Sequence, residues 1–61
     1  MKEHIERKFK IRISELTWIK DDKNKINVTI RFAPFTPLHK IASVMKYVKA
    51  NYIIDSLQYF V

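Results

Sequence analysis

Lys8, Lys10 and Arg12 alternate with apolar residues in KFKIRI, residues 8–13, and Arg31 occupies the outward phase of a second alternating stretch, INVTIRF, residues 26–32. Cations repeated at that spacing suit one chemistry above others, the positioning of phosphate groups. Such contacts hold a polyanion in register and carry little sequence information. They also make affinity fall steeply with salt, because each neutralised phosphate releases condensed counterions. Lys20 and Lys25 extend the charge toward the next turn, and Trp18 lies between them and the first three cations. An indole on that surface would stack on an unpaired base; turned the other way, it would be the largest piece of a small core.

Other chemistries find little material. The chain has no Cys and only two His, at 4 and 39. No nucleophile, base and acid arrangement is legible, and the histidines have no third donor at metal-ligand spacing. Glycine is absent, although average usage predicts roughly four in a chain of this size. Phosphate-cradling loops and dinucleotide fingerprints need glycine where backbone approaches a ligand or takes positive φ, so both are excluded. Asp21, Asp22 and Asn24 read as turn residues and not as a cation site. The expectation is a protein that is not an enzyme and uses neither cofactor nor metal.

Sixty-one residues make one small domain, 1–61. A chain this short buries only about 60% of the surface its unfolded form exposes, so its stability is marginal. Disulfides and metals, the usual supplements, have no residues to form them here, which leaves self-association. With 48% hydrophobic residues the chain has material for a core, and twelve Lys and Arg against six Asp and Glu give a net charge of +6. That excess favours both solubility and attraction to polyanions. No apolar run approaches the length of a signal peptide or membrane span, and the lack of Cys fits a reducing interior, so a cytoplasmic location is expected.

The elements that must position these residues follow from periodicity. Residues 1–7 read as a flexible or partly ordered lead. Residues 8–20 read as a long first strand, with Phe9, Ile11 and Ile13 on one face and the cations on the other. Beyond Ser14 the phase breaks, because Leu16 and Trp18 would fall on the basic face. A β-bulge near Ser14 restores them to the core side. DDKNK, 21–25, is a turn in which Asn24 is the best candidate for a left-handed conformation. The second strand carries Ile26, Val28, Ile30 and Phe32 inward.

Thr36 before Pro37 reads as a capped helix start. The helix over 37–50 shows an apolar stripe of Leu38, Ile41, Met45, Val48 and Tyr52. YIIDSLQYFV, 52–61, is β-branched and aromatic, and reads as a third strand. The fold class expected is α+β: a hairpin, one helix and a C-terminal strand, ββαβ, with the helix on one face of a three-stranded antiparallel sheet of order 2-1-3. Both faces of the last strand are partly apolar, so Ile54, Leu57, Tyr59 and Phe60 are expected to form a homodimer interface. This order of elements is too generic to indicate a family.

The function expected is nucleic-acid binding, DNA or RNA, by the cationic face of the sheet: Lys8, Lys10, Arg12, Lys20, Lys25 and Arg31, with Trp18 stacking if no bulge turns it inward. The bland reading of the same face is a solvated strand whose lysines discourage aggregation. The functional rival is a small inhibitor or adaptor, of viral or mobile-element origin, that grips an acidic protein surface. It would need apolar and aromatic anchors beside the same charges.

Overall fold

The computed structural model describes all residues, 1–61, as α1 (Lys2–Phe9), β1 (Ile13–Lys20), β2 (Ile26–Phe32), α2 (Leu38–Asn51) and β3 (Ile54–Phe60). The class is α+β, with two helices and a three-stranded mixed sheet. β1 and β2 form the expected antiparallel hairpin, while β3 runs parallel to β2 and pairs with it, giving the order β1-β2-β3. The central strand is therefore β2, not β1, and the sheet is not wholly antiparallel.

The reason lies in the patterns of the strands. β2 alternates without interruption and buries Val28, Ile30 and Phe32, as a strand with neighbours on both sides should. β1 carries the bulge expected near Ser14, between Ile13 and Glu15, and β3 carries another opposite Ile26–Asn27. Bulges are over-represented at sheet edges, and the one in β3 is confined to its start, leaving Ser56–Phe60 in continuous register. The bulge in β3 also puts Ile54, Leu57 and Tyr59 on one face, opposite Ile26, Val28 and Ile30. A continuous alternation would have split them between two.

The largest departure is at the N-terminus. In place of a flexible lead and a strand from residue 8, residues 2–9 form a helix that buries Ile5 completely. Met1, Ile5 and Phe9 recur every four residues and pack on the core, a helical period that coexists with the alternation of KFKIRI and prevails over it. Glu3 in the first turn and Arg7 and Lys8 in the last suit the helix dipole. With no glycine to end the helix, Lys10 takes the left-handed cap at φ 55, and its N–H donates to the Glu6 carbonyl. The Glu6 carboxylate then accepts the Ile13 N–H at 2.9 Å, which ties the helix to the start of β1.

The core joins both helices to one face of the sheet through Ile5, Ile13, Val28, Ile30, Phe32, Ile41, Val44 and Val48. α2 spans nearly the expected residues, but Leu38 is 75% exposed and Val44 takes its place in the buried stripe. Thr36 does not cap α2. Its hydroxyl donates to the Ala33 carbonyl at 2.7 Å, and the helix starts from Pro37 with no side-chain cap. No helix is long and apolar enough to cross a membrane.

Candidate polyanion cleft

The expected cationic sheet face does not form. The uncovered face presents Glu15, Thr17 and Ile19 from β1, Asn27, Thr29 and Arg31 from β2, and Ser56, Gln58 and Phe60 from β3. Its one cation, Arg31, stands opposite Glu15 in the register and lies 5.7 Å from the centroid of the Phe60 ring. Ser56 donates to the Asn27 side chain at 2.9 Å. This surface is polar and close to neutral.

The other expected site residues scatter. Lys8 lies in the last turn of α1 with its Nζ 5.2 Å from the centroid of the Tyr47 ring, a cation–π contact on the helical side of the molecule. Lys20 ends β1 and Lys25 precedes β2, and together with Asp21, Asp22, Lys23 and Asp55 they occupy the hairpin end. There the Asp21 carboxylate accepts the N–H groups of Lys23 and Lys25 at 2.8 and 2.9 Å, and Asn24 takes φ 63 as turn chemistry demands. No group of three or more His, Cys, Asp or Glu side chains is placed to hold a metal ion.

Trp18 follows neither expectation fully. The bulge turns it to the helical side, opposite Val28, yet it remains 52% exposed. Burial along that side of β1 fades from Ile13 through Leu16 to Trp18. The helices cover the start of the strand and leave its far end open.

Lys10 and Arg12 do meet, with a partner the sequence reading missed. Around the carboxyl end of β2 lies a cleft of about 360 Å³, lined on one side by Lys10, Ile11 and Arg12 and on the other by Ala33–Pro37 and Lys40. The Ala33 N–H donates to the Arg12 carbonyl at 3.1 Å and holds the two sides together. Lys40 reaches across with its Nζ donating to the Phe9 carbonyl at 2.9 Å, which leaves two ammonium protons for another acceptor. Lys40 had a signal in the sequence: it stands in the first turn of a helix that has no acid there, where a cation opposes the macrodipole.

Phe35 completes the cleft. It is wholly exposed and takes φ 67, between Pro34 and Pro37. Of the three non-glycine residues at positive φ, two, Lys10 and Phe35, lie on this cleft. A left-handed conformation costs a residue with a Cβ roughly 1–2 kcal/mol, and such strain gathers at functional sites.

Of the expected interface residues, Ile54 and Leu57 are half-buried against the core, while Tyr59 packs edge-on to Phe32 at 6.1 Å between centroids. Phe60 faces the open side. Together with Ile53, Tyr59 and Val61 it leaves the β3 edge apolar and uncovered.

The chain matches no protein-family model, and no curated protein or solved structure is significantly similar to it.

Proposed function

We propose that this protein binds nucleic acid, with little sequence specificity, through the cleft formed by Lys10, Arg12 and Lys40. The observation that carries the reading is the convergence of three cations from two segments, the 10–12 connection and the first turn of α2, on one open cleft. Like charges brought together by a fold repel one another, and an anionic ligand relieves the repulsion. The start of α2 lends the same sign, since its first turn has neither a side-chain cap nor an acid. The position agrees as well: β2 and β3 are parallel neighbours joined through α2, and ligands of such units lie beyond the carboxyl ends of the strands.

Backbone phosphate is the ligand proposed for this cleft, since three cations on an open surface suit contacts that fix position and carry little sequence information. Three neutralised phosphates correspond to a log–log salt slope of about −2 on single strands and about −3 on duplex DNA. Fluorescence anisotropy of labelled oligonucleotides at several salt concentrations tests this. Binding that weakens with such a slope, and that Lys10→Glu with Arg12→Glu abolishes, supports the reading; unchanged affinity in that variant overturns it.

The protein acts in this reading as a homodimer paired through β3. Residues 52–61 hold no cation and one acid, in a chain of net charge +6. That makes β3 the segment where two copies approach with least repulsion, and its edge lacks the lysine or proline that blocks pairing.

A further inference from the structure

Phe35 has no role in holding phosphate, and its placement asks for one of its own. The side chain is 100% exposed, so both faces of its ring are open. The backbone beneath it is held at φ 67 within a loop flanked by two prolines and braced by the Thr36 hydroxyl on the Ala33 carbonyl. Proline fixes φ at two of the five loop positions, so the ring stands on a stiff stretch of backbone. It stands on the rim of the cleft that Lys10, Arg12 and Lys40 line.

We infer that Phe35 is a stacking platform for an unpaired base, and that the cleft therefore takes single-stranded nucleic acid in preference to duplex. The inference rests on the proposed phosphate-binding role of the same cleft. An aromatic ring offers its face to any base, whatever its identity, and a neighbouring cationic groove follows the backbone. In a duplex the base faces are already stacked on one another, so an exposed ring has only edges to meet. The cleft lies at the small end of the range that ligands occupy, near 300 Å³, which suits one nucleotide and not a helix.

Two other partners would also meet an exposed aromatic among cations. An anionic membrane surface would engage Phe35 together with the exposed Leu38, and vesicle binding distinguishes it from an oligonucleotide. A protein would seat the ring in an apolar pocket surrounded by further contacts that exclude water. The cleft beside Phe35 instead sets three cations and Thr36 among small apolar contacts, Ile11, Ala33 and two prolines, and holds no second aromatic.

The test compares the full chain with Phe35→Ala and Phe35→Trp for binding to a labelled oligothymidylate, a duplex of equal length and vesicles containing anionic phospholipid. Phe35 contacts no core residue, so these variants fold, which circular dichroism checks. Loss of one stacked base predicts that Phe35→Ala weakens single-strand binding by about 5- to 150-fold. Duplex binding stays within about twofold under the same account, and Phe35→Trp restores the single-strand affinity. Equal effects on both nucleic acids, or none, while Lys10→Glu with Arg12→Glu abolishes binding, would overturn the stacking role and leave the phosphate reading standing. Insensitivity to the charge reversals would overturn both. Vesicle binding that depends on Phe35, without oligonucleotide binding, would assign the cleft to a lipid surface.

Discussion

Phe35 spends stability without returning any to the fold: it holds φ 67 and its side chain buries no surface. Glycine at this position removes a left-handed strain of about 1–2 kcal/mol. It also gives the unfolded chain more freedom, worth roughly 0.4–1 kcal/mol in the opposite direction. Phe35→Gly is therefore expected to leave stability unchanged or raise it by up to about 1.5 kcal/mol in urea denaturation, while weakening single-strand binding. A destabilised variant would mean that the ring packs on the fold. Lys10 differs from Phe35 in this respect, because its φ of 55 closes α1 through the Glu6 carbonyl and so serves the structure as well as the cleft.

At the scale of elements, α1 decides whether the site exists. It carries Lys10 at its end, sets Arg12 on the approach to β1, and supplies the Phe9 carbonyl that anchors Lys40. Ile5 is its main attachment to the core, fully buried beside residues of the sheet and α2. Ile5→Ala is expected to cost about 2–5 kcal/mol. That is a large share of the roughly 3–9 kcal/mol available to a chain of this length, so the midpoint of urea denaturation should fall substantially. A loss under about 0.5 kcal/mol would mean that α1 is not docked.

The hairpin, α2, the left-handed Asn24 and the bulge at Ser14 were all legible in the sequence, each from a local rule: alternation, helical spacing, turn chemistry and a break in phase. α1 was not, because the i, i+4 spacing of Met1, Ile5 and Phe9 overlaps the alternation that begins at Lys8, and only the packing of Ile5 and Phe9 on the core decides between them. The pairing of β3 was equally hidden. Alternation reveals a strand, while its neighbour is set by how α2 returns across the sheet. The cleft was legible in two of its three cations, Lys10 and Arg12, though for the wrong reason, as members of a strand face. Phe35 went unnoticed because it looks like an ordinary loop residue until the fold sets it beside the others, and Lys40 because its signal, a cation in an acid-free first turn, names no partner by itself.

For the molecule as a whole, two associations are proposed, and salt affects them in opposite directions. Copies of net charge +6 repel, so screening favours dimer formation through β3. Nucleic-acid binding weakens as salt rises. Sedimentation velocity across a salt series is expected to show a monomer giving way to a dimer as salt increases. Gln58→Lys, which adds a cation to the exposed edge strand, should shift the transition to higher protein concentration. A monomer at every salt and concentration would remove the dimer from the account and leave the cleft untouched.

The claim that matters most is that a site, and not net charge alone, binds the polyanion. Lys10→Glu with Arg12→Glu and Lys20→Glu with Lys25→Glu change the net charge equally, one pair at the cleft and the other at the hairpin end. Anisotropy titration of one labelled single-stranded oligonucleotide with both variants and the unaltered protein separates the two explanations. The account predicts that the cleft pair abolishes binding while the hairpin pair weakens it only modestly and keeps most of the salt slope. Equal losses in the two variants would contradict it, because binding would then follow the overall charge and the cleft would have no particular part in it.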